Sequence, residues 1–130
     1  MGRTTDKGER GEAEVIVALK RLGYQVAIPL GHSLPFDLIL IAEEGRRMER
    51  VQVKYTTSNG RVVVVRCASH SAWVAYKYSA KLVDWLATYD ATTDQVFFVH
   101  SCVWDGFATM NLRLVEPVNG QAEGIRWATN

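Results

Sequence analysis

The chain has 130 residues, 48% hydrophobic and 22% charged, with a net charge of +1. This length suits one domain over residues 1–130 that buries roughly two thirds of its unfolded surface, and the composition excludes a disordered chain. The near-neutral total excludes an overall basic field as the basis of nucleic-acid binding, although the residues up to Arg66 carry 11 Lys or Arg against 8 Asp or Glu. Two cysteines, Cys67 and Cys102, make no disulfide framework and suit free thiols in a reducing compartment. The polar start lacks an apolar signal core, and no run approaches the ~18 apolar residues of a membrane span, so the expected location is the cytoplasm.

In chain order, Asp6 to Leu22 has helical periodicity, with Val15, Ile16, Leu19 and Leu22 on one stripe and Gly23 as a stop. At about 100° per residue Glu12 falls near the middle of that stripe, while Glu9 and Glu14 suit solvated positions. Tyr24 to Ile28 is an expected strand, Pro29 to Pro35 a loop, and Asp37 to Ile41 the next strand. A charged turn over Glu43 to Glu49 leads to a strand from Arg50 to Thr56, with Gln52, Lys54 and Thr56 on one face. Ser58, Asn59 and Gly60 then read as a hairpin turn into Arg61 to Arg66, a four-valine strand that calls for burial on both faces. Ala68 to Tyr78 suits an irregular segment, Ala80 to Thr88 a helix, and Gln95 to His100 a strand. Short strand-like pieces follow at Asn111 to Val115 and Ile125 to Ala128. The order implies an α/β fold, a mixed central sheet flanked by helices.

Charge inside apolar runs needs a reason. A carboxylate or ammonium without a partner in an apolar interior costs several kcal/mol, so Asp37 and Lys54 call for partners, a metal ion or a water-filled cleft. Residues two apart on a strand lie about 7 Å from each other on the same side, so Gln52 and Lys54 can reach one site. Glu12 and Asp37 with an amide oxygen suit a hard divalent cation such as Mg²⁺, and a neighbouring lysine suits charge developing on a phosphate. The implied chemistry is metal-assisted phosphodiester hydrolysis.

Lys7 to Glu12 reads K-G-x-x-x-E, Pro35 to Asp37 reads P-x-D, and Gln52 to Lys54 reads Q-x-K before Tyr55 and Thr56. In this order the set resembles the PD-(D/E)XK nuclease superfamily, with its restriction-endonuclease-like core. Ser33, four residues before the aspartate, resembles a polar loop residue of archaeal Holliday-junction resolvases. The glutamine in place of the usual acid is similar to the branch of group I intron homing endonucleases of this fold. That likeness continues through Trp85 to Tyr89, Asn111 to Leu114 and the Asn119 to Trp127 tail.

The resemblance implies Glu12 and Asp37 as metal-associated acids, Gln52 as an amide substitute at the third ligand position, and Lys54 as the catalytic lysine. It adds the backbone carbonyl of Val53 as a metal ligand, with Mg²⁺ as the cofactor and Mn²⁺ as a substitute. Glutamine is neutral, so the site should hold Mg²⁺ less tightly than one with a third acid. Double-stranded or branched DNA is the implied partner, cut by a homodimer or homotetramer, because one compact site cuts one strand. The alternative is a non-catalytic DNA-binding or assembly module that keeps the fold.

Each residue also has a bland alternative. Asp37 could simply cap a turn-to-strand junction. His32 and Ser33 could touch phosphate or close their loop. Arg46, Arg47 and Arg50 could contact phosphates or form a solvated charged turn, and Tyr76 with Lys77 suits a DNA-facing loop. Cys67 with His70, and His100 with Cys102, fit no strong zinc spacing.

Overall fold

The computed structural model describes the backbone of residues 3–31, 33–70, 75–77, 81–104 and 109–114, and the side chains of residues 6–31, 33–67, 81–104, 109–112 and 114. The periodic stripe at the start forms helix α1 (Arg3–Arg21). It packs on a five-stranded mixed sheet of β1 (Gln25–Ala27), β2 (Leu38–Ala42), β3 (Arg47–Thr56), β7 (Trp85–Asp90) and β8 (Gln95–His100), in that spatial order. Only the central pair, β3 with β7, is parallel; the other three neighbouring pairs are antiparallel.

Between β3 and β7 the chain supplies β4 (Val62–Arg66), β5 (Ala68–His70) and β6 (Ala75–Lys77). After β8 come one helical turn, α2 (Ser101–Trp104), and β9 (Thr109–Arg113), which pairs with β4. Each face of the sheet has its own apolar core. On one, Val15 and Leu19 of α1 meet Val51, Val53, Ala87 and Tyr89; on the other, Val63, Val65, Trp104, Met110 and Leu112 meet Leu86, Phe97 and Val99. Among the described residues no helix is long and apolar enough to cross a membrane.

The structure bears out the α/β class and the mixed sheet, and it corrects several elements. Residues 85–90 are a strand, not part of a helix over Ala80 to Thr88. As an inner strand, β7 is covered on both sides and buries nearly every residue, so its sequence loses the alternation that marks a half-exposed strand. β4 forms no hairpin with β3; Asn59 instead ends the turn by accepting the N–H groups of Arg61 and Val62 at 2.8 and 3.0 Å. Nor is β4 buried on both faces, since Val64 is 46% exposed. The segment read as irregular contains the β5–β6 pair, while Ile125 to Ala128 lies outside the described residues. β3 begins three residues earlier than expected because the charged turn is short, a 3₁₀ turn in which Glu43, Glu44 and Gly45 all have positive φ.

Candidate active site

The two sides of β3 differ along its length. β2 pairs with β3 only from Arg47 to Val51, whereas β7 runs beside it from Val51 to Thr56. The half of β3 that holds Gln52 and Lys54 therefore has one edge that β2 does not cover. Asp37 sits at the point of departure. Its N–H donates to the Val51 carbonyl at 2.9 Å, and its Oδ2 accepts the Val53 N–H at 2.9 Å, taking the place of the next ladder acceptor. The cap that sequence reasoning offered as the bland alternative is real, and it also fixes the direction of the carboxylate.

Helix α1 closes the notch from above. Gly11 packs directly on this part of β3: a Cβ built there would stand 3.4 Å from Val53 Cγ1 and 3.6 Å from Tyr55 Cβ, in ordinary van der Waals contact. The next residue, Glu12, is half-buried and lines a hollow of about 180 Å³ together with Gly8, Asp37, Gln52, Val53 and Tyr55. A second hollow of about 140 Å³, under the loop of Pro29, Leu30 and Gly31, shares Glu12 and Asp37. The two carboxylates thus stand between two openings.

Gln52 donates weakly from Nε2 to the Val53 carbonyl at 3.4 Å, and its Oε1 accepts no hydrogen bond among the described residues. In an extended strand the N–H and C=O of one residue point to the same edge, so the Val53 carbonyl faces the notch along with its N–H. Lys54 is half-buried on the same strand face as Gln52. Burial pushes the Cys67 thiol up to about 11, and the charge of Lys54 opposes the shift.

The oxygen donors here fit a hard dication: two carboxylates, an amide and a carbonyl, with no soft ligand. Among the described residues no three His, Cys, Asp or Glu gather into a metal-binding group, and the amide of Gln52 is the further oxygen-bearing side chain that lines the hollow with Glu12 and Asp37. Gly8 and Tyr55 also line the hollow, beyond the candidate residues of the motifs. The signal was present, since Gly8 lies inside K-G-x-x-x-E and Tyr55 directly follows Q-x-K.

The candidate DNA contacts are dispersed. Ser33 is exposed in the loop beside the second hollow, whereas His32 lies outside the described residues. Arg47 starts β3, about 17 Å from Gln52 at roughly 3.3 Å per residue, and Arg46 lies just before it in the turn. There Arg46 Nε donates to the Glu43 carbonyl and Arg47 pairs with Glu49 at 3.4 Å. Arg50 forms a two-pronged pair with Asp84, at 3.0 Å from Nε and 3.1 Å from Nη2, and its own N–H adds a third bond to the same carboxylate. Lys77 belongs to β6, with its side chain outside the described residues.

The model of the PD-(D/E)XK endonuclease family matches residues 2–130, and this chain belongs to that family. A solved bacterial homing endonuclease, I-Ssp6803I, is similar in fold, with a TM-score of 0.69 and 24% identity over 92% of this chain and 83% of that one. No curated protein matches in sequence. The resemblance drawn from the motifs is thus borne out at the level of family and fold.

Proposed function

We propose that the chain is a metal-dependent DNA endonuclease, acting as one domain in the cytoplasm, with Glu12, Asp37, Gln52 and Lys54 as its active site. One observation carries this reading: Glu12, Asp37 and Gln52 share a hollow on the uncovered edge of β3, in a chain of an endonuclease family. Glu12, Asp37, Gln52 Oε1 and the Val53 carbonyl would hold Mg²⁺, or Mn²⁺ in its place. When bound, such an ion neutralises charge on the scissile phosphate.

The chain's own groups do the rest. The Val53 N–H holds the Asp37 carboxylate in one direction, so no reorganisation is needed when substrate arrives. Lys54, two residues beyond Gln52 on one strand face, stabilises negative charge developing on the phosphate oxygens and orients the attacking water. Its half-buried position strengthens that field relative to open water. Two copies are required to cut both strands of a duplex.

Supercoiled, branched and linear DNA incubated with Mg²⁺ or Mn²⁺ test the proposal. Wild type should cleave at least one of them, and Lys54→Ala should lose about 10²–10³-fold in rate. No cleavage of any substrate, or equal cleavage by Lys54→Ala, contradicts it. A homing-type enzyme keeps its cutting on linear duplex, whereas a junction-selective one does not. The neutral Gln52 favours a second reading, a DNA-binding module without catalysis; salt-dependent DNA binding with no response to metal would select it.

A further inference from the structure

Apolar side chains surround the two acids of the notch. In the loop between β1 and β2, Ile28 is 65%, Leu30 104% and Leu34 50% exposed, and all three line the second hollow, the one that shares Glu12 and Asp37. Aliphatic surface left in water beside two carboxylates gains nothing from folding and marks a place where something apolar docks. The loop is braced. Pro29 and Pro35 fix φ at its shoulders, Gly31 takes a φ of +89° directly after Leu30, and Phe36 packs against the core of Val63 and Leu86.

What can meet this loop follows from its charge. From Tyr24 to Phe36 the chain has no Asp, Glu, Lys or Arg. No acid there repels a phosphate backbone and no cationic lysine or arginine grips one, so a DNA strand held at Glu12 and Asp37 meets the loop through its apolar parts, the sugars and the faces of the bases. Base faces are closed off in a stacked duplex. An aliphatic side chain reaches them by entering between two bases as a wedge, at the cost of unstacking that step. The groove between α1 and β8 also offers apolar surface, but Glu14 and Asp94 line it and set negative charge against a phosphate backbone.

We propose that Leu30, shouldered by Ile28 and Leu34, is a wedge that enters a base step beside the scissile phosphate, so that the protein favours DNA whose stacking is already weakened. The location next to the scissile phosphate rests on the nuclease reading. The wedge itself is read from binding, so the two fail separately.

Fluorescence anisotropy compares a fluorescein-labelled intact duplex with the same duplex carrying one central abasic site, in Ca²⁺ rather than Mg²⁺ so that binding is read without cutting. Wild type should bind the abasic duplex about tenfold tighter, because the gap takes Leu30 with no unstacking. Leu30→Ser should bind the two duplexes alike. Leu22→Ser, which removes an exposed leucine just past the end of α1, should keep the preference. Leu30 is fully exposed, so its replacement leaves the core untouched, and melting checks that each variant folds. A wild type that binds both duplexes alike or neither, or a preference that survives in Leu30→Ser, overturns the proposal. So does a fall in sedimenting mass on Leu30→Ser in the absence of DNA, which would give the loop to a second copy of the chain. Abasic preference without cleavage of any DNA in Mg²⁺ or Mn²⁺ sinks the nuclease reading and keeps the wedge; cleavage without the preference does the reverse.

Discussion

Two aspartates next to the same strand show what separates a structural carboxylate from one available for chemistry. Asp90, at the end of β7, is fully buried and saturated. Its Oδ1 accepts the N–H groups of Ser58 and Thr92 at 2.8 and 3.3 Å, and its Oδ2 accepts the Ser58 and Thr93 hydroxyls at 2.7 Å each. It ties the loop after β3 to the loop after β7. Asp37 anchors backbone too, through Val53, but it lines two hollows that it shares with Glu12. The difference lies in surroundings: donors of the chain enclose Asp90, while Asp37 stands at an open edge beside a second acid.

That contrast can be broken by mutation. Asp90→Ala leaves two hydroxyls and two N–H groups without their acceptor and should cost about 3 kcal/mol of stability, read from urea unfolding. Asp37→Asn can still accept from Val53, so its melting temperature should stay near that of wild type. Equal destabilisation by the two changes would mean that Asp37 is as purely structural as Asp90.

Acid probes the same difference. Burial pushes the Asp90 carboxyl up, but the Ser58 and Thr93 hydroxyls and the Ser58 and Thr92 N–H groups outweigh it and leave the pKa below the usual 3.8. At Asp84 the hydrogen bond from Arg50 is the main cause of a lowered value, opposed by burial. Both carboxyls bind protons less readily folded than unfolded. Their stabilisation is therefore complete above about pH 4 and lost as pH falls through the lowered folded values. Unfolding free energies measured down the pH scale should hold level to that point on this account and then decline, with a shallower decline in Asp90→Asn.

The smallest expected effect concerns the third ligand position. Gln52→Glu adds a negative charge beside Glu12 and Asp37 and should tighten Mg²⁺ or Mn²⁺ binding about tenfold by calorimetry. Unchanged affinity would remove Gln52 from the ligand set.

Much of this architecture was legible in the sequence where periodicity and burial agreed. α1 buries Val15 and Leu19 of the expected stripe, and Glu12 falls within it as the helical angle requires, whereas Leu22, just past the helix end, is exposed. β7 was misread because a strand covered on both sides has no alternation, and Leu82, Val83, Trp85 and Leu86 also fit helical spacing. The pairing of β4 with β9 depends on contacts between residues far apart in sequence, which no local pattern encodes. At the candidate site the residue types and their order were visible. The missing β2 cover along Gln52 to Thr56 was not, because it follows from where Asp37 turns the chain away.

The most direct test of the central claim is the nicking rate of supercoiled DNA by folded Asp37→Asn in saturating Mg²⁺, beside wild type. The account predicts a loss of about 10²-fold or more with unfolding temperature preserved; a variant that cuts at the wild-type rate would show that the notch between Glu12, Asp37 and Gln52 is not where the DNA is cleaved.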